Sequence, residues 1–260
     1  MLVPNIIMHG KNKTICIAGK NQCAIDALNY VCNNYSNYNI VSLPNFSDKG
    51  KDGWQKSFRK FSKSKNIKTT NLKKLYKTKD LYLFSLEYEN IIKTNKFISK
   101  KLFNLHFSLL PKFRGCHTNF YQIYYGEKIS GVTLHKIDKG IDTGPIIDKI
   151  IFKVKNNSTA FDNYRNLLTN SFKLFKKDIK KILNDNYSIK KQNKKNGSYF
   201  SRKSIDYNKI VNIKELKHNL KTHNLIRSLI FPPFQLPIYN GKKIIKSIYK
   251  NKKIKLTFQL

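Results

Sequence analysis

An amide, an imidazole and a hydroxyl follow one another at two-residue intervals in the segment LFNLHFSLLPKFRG, as Asn104, His106 and Ser108. If this segment is a strand, these three polar side chains share one face and the apolar side chains cover the other. An amide donates hydrogen bonds, and an imidazole can also exchange a proton near neutral pH. The pattern therefore indicates a polar strand face that is either a centre for acid-base chemistry or a satisfied structural pair.

A candidate partner for the imidazole lies downstream, in the segment GVTLHKIDKGIDTGPII. This segment predicts a second strand followed by a turn rich in Gly and Asp, and it supplies a carboxylate at Asp142. A nearby carboxylate stabilises a protonated imidazole, so Asp142 could pair with His106. The spacing alone does not show whether the two side chains meet. No HxxxH or CxxC spacing accompanies them, so the sequence predicts no metal site.

Strands and helices alternate along the first part of the chain. The segment KTICIAGKNQCAIDALNYVCNNY predicts a short buried strand, a turn at Gly19 and an amphipathic helix. Further strands are predicted in NIVSLPNFS, LYLFSLEYE and LFNLHFS, and a helix in GWQKSFRKFSKSK. This alternation predicts an α/β fold with a doubly wound, mostly parallel sheet, in which functional residues come just after the strands.

The second half of the chain predicts a change of organisation. A long helix is expected from about Ser158 to Asn184, followed by a polar stretch that is poor in apolar residues. Beyond it, HNLIRSLI predicts a helix and LPIYNGKKIIKSI a hairpin with an Asn-Gly turn of type I′. We therefore expect an α/β domain at 1–187, a linker at 188–198 and a small C-terminal α+β unit at 199–260.

The formal net charge of +36 favours a nucleic-acid partner at first sight, because clustered cations release counterions from phosphates. Only five of the 51 cationic residues are arginines, however, and the lysines are spread over the whole chain. Phosphate-recognition surfaces often use the bidentate fork of arginine. We therefore interpret the lysine excess as a compositional feature and expect no nucleic-acid partner, although an anionic small substrate is compatible with it.

The composition also argues against several other classes of protein. An apolar fraction of 40% over 260 residues suits a globular core, and no apolar run approaches the roughly 18 residues that a membrane span needs. The turn AGKNQC lacks the GxGxxG cradle of dinucleotide sites. We expect a cytoplasmic protein with no membrane segment and no NAD or FAD.

The segment from Asn104 to Ile147 resembles the signature of 10-formyltetrahydrofolate-dependent formyltransferases. In that family, Asn-x-His-x-Ser-Leu-Leu-Pro, an Arg-Gly pair and a distal Gly-x-Asp-x-Gly surround the site. The resemblance implies that 1–187 is the catalytic domain, with a Rossmann-like sheet, and that 10-formyltetrahydrofolate is the co-substrate. It also implies that Asn104, His106 and Asp142 form the catalytic triad. Many members have Pro where this chain has Phe107, which we interpret as a change in the pocket lining.

The wider sequence is similar to the sugar-nucleotide branch of this family, closest to dTDP-4-amino-4,6-dideoxyglucose formyltransferases. The similarity includes FSLEYENIIKTNKFISKK, GSYFSRKSIDYNK and HNLIRSLIFPPFQLP. It implies a dTDP-linked amino sugar as substrate, a role in surface polysaccharide (O-antigen) synthesis, and a homodimer. Two alternatives stay open: methionyl-tRNA formylation, with which the charge is compatible, and a basic nucleic-acid-binding module that has kept an inactive transferase domain.

The resemblance also suggests which residues hold the two substrates. For the folate, the expected residues are Glu87, Tyr88, Asp138, Gly140 and Gly144. For the sugar nucleotide, they are Arg114, His117 and Thr118. For Glu87 a surface carboxylate, and for Arg114 a structural role at a turn, are equally good interpretations. His135 is most simply a strand residue whose ring is satisfied locally.

Overall fold

The computed structural model describes residues 13–259 of the 260-residue chain. Its strands, numbered in chain order, are β1 Thr14–Gly19, β2 Asn39–Pro44, β3 Lys68–Thr69, β4 Leu81–Leu86, β5 Lys101–His106, β6 Arg114–Gly115, β7 Ile129–Lys136, β8 Ile146–Lys153, β9 Tyr199–Phe200, β10 Ile238–Tyr239, β11 Lys242–Lys250 and β12 Lys253–Phe258. Its α-helices are α1 Asn21–Asn34, α2 Phe58–Ser64, α3 Leu72–Tyr76, α4 Thr118–Tyr124, α5 Ala160–Leu183, α6 Tyr207–Ile210 and α7 Leu220–Leu229.

Seven strands form the central sheet, in the order β3-β2-β1-β4-β5-β7-β8. β1 pairs in parallel with both β2 and β4, and the pairs of β2 with β3 and of β4 with β5 are parallel as well. The chain order reverses between β1 and β4, and open α/β sheets bind ligands beside the carboxyl ends of the strands at such a point. The predicted doubly wound, mostly parallel α/β sheet is confirmed.

The central strands are held by apolar contacts on both faces. β1 and β4 are buried at every position, as expected of parallel strands that are covered by helices. The ring of Phe84 in β4 stacks on Phe103 in β5 with centroids 5.3 Å apart, and it meets Phe175 of α5 edge-on at 5.2 Å. These contacts fix β4 and β5 side by side, so that the loops and polar side chains at their carboxyl ends share one edge.

Two elements differ from the sequence prediction. The helix predicted in GWQKSFRKFSKSK begins only at Phe58, because the hydroxyl of Ser57 accepts a hydrogen bond from the backbone N–H of Lys60 at 3.0 Å and caps the first turn. Trp54 lies outside this helix and is 44% exposed. The sequence does not predict β3, because a strand of two residues is too short to show an alternating pattern.

The longest helix, α5, has 24 residues and carries lysines in its last turn, where cations interact favourably with the helix dipole. It matches the long helix that the sequence predicts to within two residues at each end. Among residues 13–259, no helix is both long enough and apolar enough to cross a membrane.

Packing divides the described chain into two compact units. The first comprises 13–106, 134–148 and 172–191, and the second comprises 107–133, 149–171 and 192–259. The predicted regions 1–187, 188–198 and 199–260 are continuous stretches of sequence. The division into these three regions stays a prediction, because the compact units describe how the chain packs and not which parts of it fold independently.

The second unit contains a three-stranded antiparallel sheet of β10, β11 and β12. Asn240 and Gly241 join β10 to β11 with φ values of 49° and 73°, as the type I′ turn predicted from the Asn-Gly pair requires. Asn251 and Lys252 join β11 to β12 with φ values of 51° and 55°. The sequence does not predict this second turn, because lysine has no preference for positive φ. The small C-terminal α+β unit is therefore present, with one more strand than predicted.

A buried imidazole links three segments of the second unit. His223 of α7 is 1% exposed, its Nε2 lies 3.4 Å from the carbonyl oxygen of Asn156, and its Nδ1 lies 2.8 Å from the hydroxyl of Ser247. A carbonyl can only accept, so Nε2 carries the proton and Nδ1 accepts from Ser247. Burial lowers the pKa of His223 from its ordinary value, because the charged ring would lose its hydration.

We predict that His223 makes the fold sensitive to acid. Because its folded pKa lies below the unfolded value, the unfolded chain binds more protons below about pH 6.5, and the free energy of unfolding falls as the pH falls through that range. Urea unfolding of the protein and of His223→Gln, at about pH 7.5 and about pH 5.5, should show a smaller loss for the variant. An equal loss in both proteins would contradict this assignment.

Candidate active site

The polar face predicted for LFNLHFS is formed by two residues and not by three. Asn104 and His106 lie on one face of β5, and Leu105 between them is buried on the other. The strand ends at His106, so Ser108 lies outside the alternation. Its hydroxyl is buried and donates to the carbonyl of Lys112 at 2.7 Å, which is a structural role at the following bend.

Asp142 meets both residues of this polar face. The amide Nδ2 of Asn104 lies 3.1 Å from Oδ1 of Asp142, and Nδ1 of His106 lies 3.4 Å from Oδ2. The side chains of His106 and Asp142 are 8% and 12% exposed. Asp142 also has a φ of 53°, in the left-handed region that Asp tolerates better than most residues with a Cβ. All three residues belong to the first unit, and the fold brings together the side chains that the resemblance picked out.

His135 of β7 is a fourth member of this cluster, which the sequence analysis missed. Its Nδ1 lies 2.8 Å from the carbonyl oxygen of Lys136, so Nδ1 carries the proton and donates. Its Nε2 is then an acceptor, and it lies 3.1 Å from Nδ2 of Asn104. The ring is 2% exposed. The expectation that it is satisfied locally is therefore correct for only one of its two nitrogens.

These contacts use both N–H bonds of the Asn104 amide. One points to Oδ1 of Asp142 and the other to Nε2 of His135, each over 3.1 Å. Asn104 thus holds the carboxylate and the buried imidazole in fixed positions. For the same amide to donate to a ligand, it would have to give up one of these two hydrogen bonds.

The carboxylate of Asp142 is the centre of the cluster's electrostatics. A largely buried carboxylate needs hydrogen bonds or an opposite charge to offset its lost hydration. Nδ1 of His106 lies 3.4 Å from one carboxylate oxygen and Nε2 of His135 lies 3.5 Å from the other, so both imidazoles border the charge. Among the residues that the structure describes, no three His, Cys, Asp or Glu side chains are arranged to hold a metal ion.

Glu87 and Tyr88 follow directly after β4, as predicted. Glu87 has a left-handed φ of 59°, and its Oε2 accepts from Nδ2 of Asn21 at 3.4 Å. The ring of Tyr88 is half-buried against the apolar core of the first unit, and burial raises the pKa of its hydroxyl. Their contact with a folate stays a prediction.

The loop that carries Asp142 is compact enough to set the position of its carboxylate. Oδ1 of Asp138 accepts from the backbone N–H of Gly140 at 3.0 Å and from the hydroxyl of Thr143 at 2.7 Å. A Cβ at Gly144 would overlap the carbonyl oxygen of Lys136, so only glycine fits there. Asp138 and the two glycines therefore shape this loop, and a direct folate contact stays a prediction.

The three residues expected at the sugar nucleotide lie in the second unit. Arg114 is on β6, and its Nε is buried without a hydrogen bond to any described residue. His117 has both ring nitrogens engaged, since Nε2 lies 2.9 Å from the carbonyl of Arg202 and Nδ1 lies 3.3 Å from the hydroxyl of Tyr207. Thr118 is buried as the first residue of α4. Their role at a substrate stays a prediction.

Residues 20–178 match the formyl transferase family. The chain belongs to this family. The match spans the strands and loops that carry Asn104, His106, His135 and Asp142. Their catalytic role stays a prediction. The Rossmann-like character expected of the sheet follows from the same membership.

Two solved structures are similar to this formyltransferase over nearly its whole length. WlaRD, a sugar 3N-formyl transferase crystallised in the presence of dTDP and 5-N-formyl-THF, is 46% identical, with a TM-score of 0.87 over 93% of this chain and 88% of that chain. An N-formyltransferase from Helicobacter canadensis, in complex with folinic acid and dTDP-3-aminofucose, is 44% identical, with a TM-score of 0.86 over 92% and 88%.

Curated relatives match this formyltransferase over shorter stretches. The bifunctional polymyxin resistance protein ArnA of Wigglesworthia glossinidia brevipalpis is 35% identical over 186 residues, which is 68% of this chain and 27% of that protein. Methionyl-tRNA formyltransferases of clostridia match about half of the chain. The chain spans 27% to 44% of the length of these relatives.

We predict that replacing His135 lowers the free energy of unfolding, because the amide of Asn104 loses a hydrogen-bond acceptor. His135→Phe removes the acceptor at Nε2 and leaves one amide N–H unpaired, so the free energy of unfolding should fall by about 1–2 kcal/mol. His135→Gln is the matched control, because its side-chain carbonyl can still accept. Denaturant unfolding of the two variants measures the difference, and equal stabilities would rule out this role for His135.

Proposed function

We propose that this formyltransferase moves the formyl group of 10-formyltetrahydrofolate to the amino group of a dTDP-linked amino-dideoxy sugar. The observation that carries the proposal is the joint placement of Asn104, His106 and Asp142, with both carboxylate oxygens of Asp142 engaged by the other two. The similarity to two sugar N-formyltransferases, at 44% and 46% identity, supports the choice of acceptor.

The position of the sugar amine is a finer question, on which the sequence resemblance and the solved structures differ. The sequence resemblance favours dTDP-4-amino-4,6-dideoxyglucose. WlaRD and the Helicobacter canadensis enzyme, in contrast, are associated with a 3N-formyl transfer and with dTDP-3-aminofucose. Because that similarity covers more than nine-tenths of the chain, we propose a dTDP-3-amino-3,6-dideoxyhexose as the first substrate and keep the 4-amino sugar as the second.

The chemistry assigns a task to each side chain. Attack of an amine on a formyl carbon builds negative charge on the formyl oxygen and positive charge on the nitrogen, so the site needs a donor for the first and an acceptor for the second. We assign Nε2 of a protonated His106 to the oxygen, since Nδ1 faces Asp142. Asp142 stabilises that charged ring and accepts the proton from the amine.

Asn104 has two tasks in this scheme. In the structure it orients Asp142 and His135. As the oxygen becomes negative, one of its N–H bonds can turn from His135 to that oxygen, which gains a charge-assisted hydrogen bond in exchange for a neutral one. The gain is largest in the transition state, and such a donor raises the rate for that reason.

The proposed step balances without an oxidant or a reductant. A bond forms between the sugar nitrogen and the formyl carbon, and the bond between that carbon and N10 of the folate breaks. The amine loses one proton and N10 gains one, so the products are a formamido sugar and tetrahydrofolate. Within the chain, His106 and Asp142 are the pair that would carry this proton.

Methionyl-tRNA formylation is the second candidate. The net charge of +36 and the similarity to clostridial methionyl-tRNA formyltransferases favour it. The similarity covers only 44% of the length of that relative, however. Binding of charged initiator tRNA that disappears when lysines of 199–260 are reversed would support this candidate over the sugar.

The proposed substrates and the family resemblance suggest a cellular location, an oligomeric state and a biological role. We propose that the enzyme works in the cytoplasm as a homodimer and supplies a formamido sugar to the synthesis of a surface polysaccharide such as O-antigen. A single species with the mass of two chains in light scattering would support the dimer, and a monomer at enzymatic concentrations would exclude it.

The first prediction about activity concerns the substrate. The enzyme is incubated with 10-formyltetrahydrofolate and a panel of dTDP-linked sugars that carry the amine at C3 or at C4. It should add one formyl group, and kcat/KM should be higher for the 3-amino sugars than for the 4-amino sugars. Mass spectrometry of the sugar nucleotide and the release of tetrahydrofolate measure it. Folded enzyme that formylates neither sugar would refute the proposed function.

The second prediction concerns the triad. Asn104→Ala, His106→Ala and Asp142→Asn should each lower kcat by about 100- to 1,000-fold, because each removes a group that acts on the charges of the transition state. Ser108→Ala, whose hydroxyl has a structural partner, should change kcat far less. Near-normal kcat in any of the three triad variants would remove that residue from the proposed mechanism.

A further inference from the structure

A fully buried amide joins the carboxyl ends of three parallel strands in the first unit. Asn45, which follows β2, is 0% exposed. Its backbone N–H donates to the carbonyl of Gly19, at the end of β1, over 3.0 Å. Its side-chain Nδ2 donates to the carbonyl of Glu87 at 3.0 Å, and its Oδ1 accepts from the backbone N–H of Glu89 at 3.2 Å. Both polar atoms of this side chain therefore bind the loop after β4.

The same two loops are joined a second time by Glu89. One carboxylate oxygen accepts from the backbone N–H of Ser47 at 3.0 Å, and the other accepts from the Ser47 hydroxyl at 2.5 Å. Partial burial alone would raise the pKa of Glu89, but the hydrogen bonds from Ser47 outweigh it and the net shift is downward. Glu89 therefore stays ionised at neutral pH, and the clamp formed by Asn45 and Glu89 stays closed.

This clamp holds a residue in an unfavourable conformation. Glu87 has a φ of 59°, in the left-handed region that residues with a Cβ rarely occupy. Such a conformation persists only where the surrounding structure fixes it, and it is concentrated at functional sites. Asn45 fixes the carbonyl of Glu87, and Asn21 holds its carboxylate at 3.4 Å.

We infer that Asn45 is a positioning residue for the folate co-substrate. It acts by holding the loop 87–89 in the conformation that binds the folate before the ligand arrives. The inference rests on the proposed function, because Glu87 and Tyr88 are the residues expected to hold the folate in that reaction. Asn45 is itself buried and does not need to touch the ligand. Preorganising a loop strengthens binding because the cost of ordering it is met during folding.

The test is Asn45→Asp, which keeps the size of the side chain and the acceptor for Glu89 but replaces the donor to Glu87 by an oxygen. We expect the variant to bind 5-formyltetrahydrofolate about tenfold more weakly, with a similar rise in KM for the formyl donor of the reaction. Both kcat and KM for the dTDP-amino sugar should stay within about twofold. Isothermal titration calorimetry gives the Kd without depending on activity.

Asn39→Asp is the matched control. Asn39 is exposed at the amino end of β2, whereas Asn45 follows the carboxyl end. The Nδ2 of Asn39 donates to the hydroxyl of Thr14 at 3.1 Å. The same chemical change there should leave the folate Kd unchanged. Ser47→Ala removes one of the two hydrogen bonds to Glu89 and should raise the folate Kd about threefold. This variant tests the positioning role if Asn45→Asp does not fold.

The outcomes separate this inference from the proposed function. It is overturned if folded Asn45→Asp binds 5-formyltetrahydrofolate as tightly as the unchanged protein, if kcat and both KM values change alike, or if Asn39→Asp has the same effect. If the unchanged protein binds the folate but formylates no sugar, the proposed function fails while a weakened folate affinity in Asn45→Asp still supports the positioning role.

Discussion

The site depends on the need to stabilise one largely buried carboxylate. The Asn104 amide and the His106 imidazole both face the carboxylate of Asp142 and help to offset its lost hydration. The amide can face it only because β5 alternates its side chains, and the carboxylate can reach that face only because the loop 138–144 is tight. His135 completes the arrangement by accepting the remaining N–H of Asn104, so that the cluster is held from two neighbouring strands.

Three residues with left-handed φ values lie just beyond strands of the central sheet. Asn21 follows β1, Glu87 follows β4 and Asp142 lies between β7 and β8, and all three have left-handed φ values, of 61°, 59° and 53°. None of them is a glycine, but Asn and Asp enter this region more readily than Glu does. The buried strands of the parallel sheet fix both ends of the loops that follow them, which helps these residues to keep a left-handed conformation.

The large positive charge of the chain contributes little to the contacts within the candidate site. The site is built from one carboxylate, two imidazoles and one amide, and the hydrogen bonds described for it involve no lysine side chain. A positive field can still attract the anionic folate and sugar nucleotide of the proposed reaction and raise the rate at which they meet the enzyme. It acts over longer distances than the contacts that orient a reacting atom, and it is screened by salt.

The amino-acid sequence by itself determined the features that depend on neighbours along the chain. Alternation placed Asn104 and His106 on one face of a strand, the strand-helix order implied a parallel sheet, and Asn240-Gly241 specified a hairpin turn. The sequence offered Asp142 as a candidate partner of His106 and the resemblance placed it in the triad, but no spacing could establish their contact. Only the tertiary structure revealed His135 as a partner of Asn104 and Asn45 as a partner of Glu87, because these pairs are 31 and 42 residues apart and meet only through the packing of separate strands. Local patterns carry no information about which nitrogen of a buried ring faces which distant side chain.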